Sequence, residues 1–361
     1  MPLKTTDVTY FLAGGISLSV LLVPNVYLRI FLLVILCVWL ISLKEYICIV
    51  LVLFVLIIVC AQLSYSPIVT KIEGRVVSLK DSYFVVKVKN QKIMVYSDCD
   101  VNFDDLVLVD GELKEVCSTK NRVGYSFESW ANARNIRYVC DANSVEVIKA
   151  GFSLRNRTYL IIQNKDEVVS KFMKMFLFHI YDDIGWMYIG LSLGIHLSFV
   201  FKQIEGFFSY LFLEKEVSII TVLFSLFIGF FYHFDLISCR FLLRNILRLT
   251  SLNKKNRWGC LVIVLLVLFP TMITEFAFLL PVFIGFVYSF SFKRIYGISQ
   301  IIVIWLQLVF NGYVSLIQIF VSRFIYPLFS CVYLICLMNI WIPFHFPFYM
   351  FSKLLEYLSK I

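Results

Sequence analysis

Charge is the first thing this chain lacks. Only 16% of its 361 residues are Asp, Glu, Lys or Arg, where a soluble globular domain carries roughly a quarter. Histidine is scarcer still, with 4 in the chain and none between 64 and 168. A membrane enzyme acting on lipid or glycan needs several acids or histidines converging at one depth, and no such cluster is visible. The three cysteines of the polar stretch, Cys99, Cys117 and Cys140, do not follow a zinc-site spacing. These absences predict a chain with no catalytic residue, no metal and no cofactor. The N-terminus MPLKTTDVTYF has a weak basic start and no small-residue cleavage site, so no cleaved signal peptide is expected.

Apolar residues fill the space that charge leaves. The chain is 60% hydrophobic with 36 Phe, and its mean hydropathy of +0.84 points to lipid. The net charge of +9 is unevenly placed. Residues 240–257 hold Arg240, Arg244, Arg248, Lys254, Lys255 and Arg257 with no acid. A basic loop of this kind favours the cytoplasmic side, and it could also meet anionic lipid or nucleic acid.

Three apolar segments come first, Phe11–Val23, Leu28–Leu43 and Ile47–Gln62, with turns at Pro24–Asn25 and Lys44–Glu45. Residues 1–63 therefore read as N-terminal transmembrane helices. The composition then changes. Ile72–Ser78, Tyr83–Lys89 and Lys92–Tyr96 alternate, as does Leu106–Val116, and Tyr138–Cys140 and Ser144–Ile148 return to strand. Phe127–Ala133 reads as a helical turn. Such short strands over 64–168 suggest a small barrel or sandwich. If this domain faces outward, one disulfide among Cys99, Cys117 and Cys140 is expected, with the pairing open. Phe172–His179, interrupted by Lys174, reads as interfacial.

Apolar segments resume at Ile184–Phe201, Val217–Phe234, Cys260–Phe269, Phe276–Phe290, Ile301–Phe320 and Ile325–Phe348. Residues 169–361 thus read as a polytopic membrane domain, and the whole chain as roughly seven to ten crossings. The expected fold class is a polytopic α-helical membrane protein with an inserted small all-β domain.

Two segments carry polar residues at helical spacing. Gly185, Ser192, His196 and Gln203 fall on one face, with Gly190 and Gly194 on a second, small-residue face. Gln300, Gln307, Asn311 and Gln318 repeat the pattern. Polar groups in hydrocarbon should face protein or a wet path, so bundle glue and pore lining both remain open. Arg240, Arg244 and Arg248 recur every four residues against Phe241, Leu242, Ile246 and Leu247, which predicts an amphipathic helix. A positive-inside anchor and a phosphate contact both remain open for it.

The order of elements resembles the bacterial competence channel family, which moves transforming DNA across the cytoplasmic membrane. Residues 124–136, GYSFESWANARNI, look like the family's Gly-x-Phe-x-Tyr-x-x-Tyr-Leu-x-x-x-x-Ile stretch. Residues 185–196, GWMYIGLSLGIH, resemble its Gly-Leu-Ser-His-Leu-Leu-Ala-Ile-Ser-Gly-Leu-His element through Gly185, Gly194 and His196. Ser238–Arg240 is similar to its Ser-x-Arg element, and Pro270 with Phe276 to a later Pro and Phe. The resemblance implies an OB-like extracytoplasmic domain over 64–168 and a multi-pass protein of the bacterial cytoplasmic membrane. It implies a channel for single-stranded DNA in natural transformation. It also implies contact with membrane lipids, work beside a separate DNA receptor, nuclease and cytoplasmic helicase-like translocase, and an oligomer as one arrangement. The C-terminal metallo-β-lactamase-like domain of many members has no counterpart here. The alternatives are a small-molecule transporter or exporter component and a divergent, inactive member.

Overall fold

The structure is a computed structural model that describes residues 8–61 except 24, 72–116 except 81, 90 and 98, 127–178, 180, 194–290, 301–302, 304–305, 308, 316–342, 347–350 and 352–353. The chain divides into two compact units, one of residues 1–68, 118–134 and 211–314, the other of 69–117, 135–210 and 315–361.

The second unit is built on five strands: β1 (Ile72–Leu79), β2 (Phe84–Val88), β3 (Gln91–Tyr96), β4 (Leu106–Glu115) and β5 (Ile136–Lys149). They close into a barrel in the order β1-β2-β3-β5-β4. Neighbours are antiparallel except β3 and β5, which run parallel. Alternation explains the closure. Ile72, Val76, Phe84, Val86, Ile93, Val95, Val107 and Val109 are all buried, and they recur every second residue, so one face of each strand is apolar. Lys89, at φ 51, turns β2 into β3. The β5 segment is one continuous strand, where two short ones were expected. It stays paired with β4 through a register shift at Asp110/Gly111. Only glycine fits there, since a Cβ on Gly111 would lie 2.4 Å from the Asp141 carbonyl oxygen. β1 pairs with both β2 and β4, which leaves the sheet without an open edge.

Beyond the barrel this unit holds α5 (Leu154–Gln163), α6 (Glu167–Phe178), α7 (Ile195–Ser209) and α12 (Leu316–Asn339). Ser153 caps α5 by accepting the Asn156 N–H at 3.0 Å. Phe103, Tyr159 and Phe178 cluster with centroids 5.1–5.4 Å apart, Phe103 stacked on Phe178 and Tyr159 edge-on to both. The α6 segment was expected at a lipid interface. Instead it buries Val169, Phe172, Met173 and Phe176 within the protein, and Phe176 meets Phe329 of α12 at 5.6 Å.

The first unit contains α1 (Thr9–Leu21), α2 (Val26–Ser42), α3 (Tyr46–Ala61), α4 (Phe127–Ala133), α8 (Glu214–Phe231), α9 (Leu236–Arg248), α10 (Lys254–Leu268), a 3-10 turn (Met272–Thr274) and α11 (Phe276–Ser289). Asn25, Asp235 and Asn253 cap α2, α9 and α10 by accepting N–H groups at 2.8–3.1 Å. The core draws Ala13 and Leu18 from α1, Leu36 from α2, Val52 from α3, Ile263 from α10 and Phe278 from α11. Its tightest joint is glycine on glycine. A Cβ on Gly14 of α1 would lie 2.6 Å from the Gly259 carbonyl oxygen of α10.

This architecture corrects the expected polytopic membrane fold and multi-pass location. Among the described residues, no helix is long and apolar enough to cross a membrane. The physical reasons differ by segment. α2 and α3 have 17 and 16 residues, about 24–26 Å at 1.5 Å per residue, against roughly 30 Å of hydrocarbon. α8 begins Glu214-Lys215-Glu216, and α10 begins with Lys254, Lys255 and Arg257 inside the helix. α11 has 14 residues with Pro281 inside it. The basic stretch 240–257 is not a loop: it is most of α9, a short link and the start of α10.

No disulfide joins the cysteines of this segment among the described residues. Cys99 is an exposed free thiol and Cys140 a buried one inside the barrel; Cys117 lies outside the described residues. Burial raises the Cys140 thiol above its ordinary value, with Asp141 and Asp110 adding to the effect. Burial, then Cys260, Glu45 and Cys37, pushes Cys48 up to about 12. Only the thiolate reacts, and a raised pKa leaves less of it at any given pH. In a thiol titration of native protein at pH 8, Cys99→Ser should remove part of the fast phase and Cys140→Ser none of it. A Cys99 that labels only after reduction would overturn the assignment.

Candidate nucleic-acid interface

The barrel turns one charged face outward across β1, β2 and β3. Register pairs Arg75 with Lys87 and Lys87 with Lys92. Directly paired residues share a face, so the three cations form a row across three strands. Arg75 and Lys87 are exposed, and Lys92 is half-buried. Lys89 is exposed in the adjoining turn. Four residues along the same outer column from Lys92, Tyr96 stands against Tyr83, ring centroids 5.8 Å apart. Val85 and Met94 lie between the two pairs and are buried. The middle of this face is therefore covered, and its accessible parts are the two ends, one aromatic and one cationic.

The far side of the barrel has the opposite sign. Asp110, Glu112 and Glu115 on β4 and Asp141 and Glu146 on β5 are exposed. Lys114 is held among them, 2.9 Å from Asp141 and 3.3 Å from Glu112. Its hydrogen bonds to those carboxylates raise its pKa. Glu73, two residues before Arg75 on the same side of β1, is exposed and moderates the basic face at one edge. Like charges paired across strands are destabilising. A polyanion laid over Arg75, Lys87 and Lys92 would turn that repulsion into attraction, while the two tyrosines offer flat faces for stacking.

The arginine stripe is an element of a different kind. α9 is amphipathic and buries Leu236, Ile237, Phe241 and Leu247. Arg240 is half-buried, donates to the Ala277 carbonyl at 3.4 Å and lies 5.5 Å from the Phe241 ring. Burial, then the neighbouring Arg244, holds its pKa down to about 10, which still leaves it charged at neutral pH. Arg244 and Arg248 are exposed. The stripe therefore runs from a packing arginine to two surface ones, and a polyanion would meet Arg244 and Arg248 before Arg240.

Of the expected polar-face residues, Gly185, Ser192, Gln307 and Asn311 lie outside the described residues. Gly194, at φ 66, begins α7 in the left-handed conformation, which suits glycine. His196 and Gln203 are in α7, and Gln203 is exposed. Gln318 is in α12. Two polar constellations have no signature in the sequence. Arg134 stacks 4.5 Å above Trp130 and pairs with Glu275 at 2.7 Å, while Thr271 donates to the Ala133 carbonyl at 2.8 Å. These contacts fasten α4 to the 3-10 turn. Asn245 of α9 donates to Ser225 of α8 at 2.5 Å, and Ser225 donates to Thr221 O at 2.7 Å. Among the described residues, no group of three or more His, Cys, Asp or Glu is placed to hold a metal ion.

No family model, no curated protein and no solved structure matches this chain. The resemblance to competence channels therefore finds no support. With no described helix able to cross a membrane, the reading as a membrane-spanning DNA-uptake channel is withdrawn.

Proposed function

We propose that the protein is a binding module without chemistry of its own, and that the β1–β2–β3 face of its barrel takes a single-stranded nucleic acid. The observation that carries this is the register row Arg75–Lys87–Lys92 sharing a face with the Tyr83–Tyr96 pair. Small five-stranded barrels of the OB kind use the corresponding strand 2–3 face for oligonucleotides, an analogy of architecture alone. Non-sequence-specific strand binding combines a basic track for phosphates with aromatic platforms for bases. The strand-rich part of the 64–168 segment supplies both.

The test is fluorescence anisotropy of the full chain with a labelled oligo-dT. Three phosphate contacts predict a slope of log affinity against log salt of about −2. The double change Lys87→Glu/Lys92→Glu should weaken binding at least tenfold and flatten that slope by about 1.4. Tyr96→Ala should cost roughly 1–3 kcal/mol of binding at unchanged slope. Lys114→Glu, on the acidic side, should leave affinity within about twofold. Binding that ignores the lysine pair, or no binding at low salt, would sink the reading.

A further inference from the structure

Two helices of the first unit, α2 and α3, are apolar on both sides, and only one side faces the core. α2 buries Leu33, Leu36, Cys37 and Leu40 inward. Its other side exposes Phe31, Val38 and Ile41, 57–61% accessible. α3 buries Cys48, Val52 and Val55 and exposes Ile47, Val50 and Ile57. The two helices pack against each other as a hairpin, joined by Leu43-Lys44-Glu45. After Arg29, neither helix carries a charged side chain. A helix that is apolar all round has to be covered on every side.

Three observations decide what covers it. First, the outward strips offer almost nothing to hydrogen-bond, whereas a protein interface usually carries a hydrogen bond per 100–200 Å² or so. Second, exposed apolar surface is not confined to the hairpin, since α8 of the same unit also exposes Ile219, Leu223, Phe227 and Phe230. Third, the strips end in groups suited to a headgroup layer. Tyr27 opens α2 and Tyr46 opens α3, 78% and 69% exposed, at opposite ends of the hairpin. At the Tyr46 end Lys44 is exposed. The start of α10 lies at that end too. Phe11 N–H bonds to Asn256 there, and Tyr10 is near enough to Glu45, Cys48 and Cys260 to feel them. Arg248 and Lys254, both exposed, flank that start.

We infer that the outward face of the α2–α3 hairpin docks onto an anionic lipid surface, its apolar strips against acyl chains and its basic end among the headgroups. At about 24–26 Å the helices are short of a bilayer core, so the contact is with one leaflet. Tyrosines and basic residues at the edge of an apolar strip suit that boundary.

The experiment is flotation of the full chain with vesicles of phosphatidylcholine alone or with about one-third phosphatidylglycerol. The chain should float with both and partition several-fold better into the anionic ones. Phe31→Glu should lower partition roughly tenfold, and Val38→Ser, a milder change at an exposed site, should lower it in the same direction. Circular dichroism checks that both keep their helix content. Ile148→Glu, on an exposed barrel strand, should change nothing. Lys87→Glu/Lys92→Glu should float as the parent does, which separates this inference from the barrel reading. Four outcomes overturn the inference. They are no flotation with either vesicle, indifference to Phe31→Glu, loss of flotation in the barrel double variant, and a dimer that Phe31→Glu dissociates without any vesicle binding.

Discussion

Replacing Gly259 by alanine is expected to destabilise the protein by about 2–4 kcal/mol. A Cβ there would sit 1.9 Å from the Tyr10 carbonyl oxygen and 2.6 Å from the Phe11 Cα. Both are backbone atoms, so no rotamer change relieves the clash, and α1 has to move off α10. The shift propagates. Phe11 N–H loses Asn256, and the Phe11 ring loses its 5.1 Å contact with Trp258. Trp258 is itself tied by its indole N–H to the Val282 carbonyl at 2.9 Å, so α11 is drawn in. Gly206 is the matched control. It lies exposed in α7, where an added Cβ would meet nothing within 4 Å, and alanine there should stabilise by about 0.5–1 kcal/mol through helix propensity. Denaturant titrations of the three proteins decide it. A Gly259→Ala variant as stable as the parent would mean that α1 and α10 do not meet at this joint.

The contrast between these glycines shows what a sequence can and cannot tell. Both stand in apolar or mixed stretches, and neither has a neighbour in the chain that announces its role. Gly259 matters because of residues 10 and 11, nearly 250 positions away. The barrel was easier to read, because its information is local. Ile72–Ser78, Lys92–Tyr96 and Leu106–Val116 alternate, and these stretches are strands. Closure and the parallel pairing of β3 with β5 were not local and could not be read from alternation. The basic row shows the same divide. Arg75, Lys87 and Lys92 look scattered in the chain, and only strand register aligns them.

The membrane reading failed at a more basic step. Hydropathy reports that a segment avoids water; it does not report what replaces the water. Leu36, Val52, Val262 and Phe278 avoid water by packing on one another. Apolar runs also leave out the polar ends of the helices that contain them. Val217–Phe234 looks apolar, yet the helix that contains most of it starts at Glu214-Lys215-Glu216. Arg134 and Glu275 were a further blind spot. Each is an isolated charge near apolar sequence, and their 2.7 Å pairing spans 141 residues of chain.

The second large effect is expected at Asp105, which is 2% exposed at the entrance to β4. Its Oδ1 accepts the Gly151 N–H at 2.6 Å and its Oδ2 accepts the Asn102 N–H at 2.8 Å. Its own carbonyl takes the Val76 N–H at 2.9 Å, and the Asp104 N–H donates to Val76 O at 2.9 Å. One residue therefore ties β1, the turn before β4 and the segment that follows β5. Gly151 can reach it only because a Cβ, which would lie 2.3 Å from the Phe103 carbonyl oxygen, is missing. The neighbouring Asp104, at φ 65, accepts the Ser153 hydroxyl at 2.5 Å, so the same turn positions the cap of α5. Asp105→Ala removes both acceptors and leaves two backbone donors without them, a loss of about 3 kcal/mol for charge-assisted bonds. Asp105→Asn is the sharper test. It keeps the volume but places an NH2 group against one of the two N–H donors, so it should cost nearly as much as alanine. Asp110→Ala, on the exposed side of β4, should stay within about 0.5 kcal/mol of the parent. Denaturant titration gives the energies. Amide exchange at Gly151 and Asn102 gives the location, and both should lose protection in Asp105→Asn. An asparagine variant with parental stability and undiminished protection at those two amides would mean that volume alone, and not the paired acceptors, holds the turn.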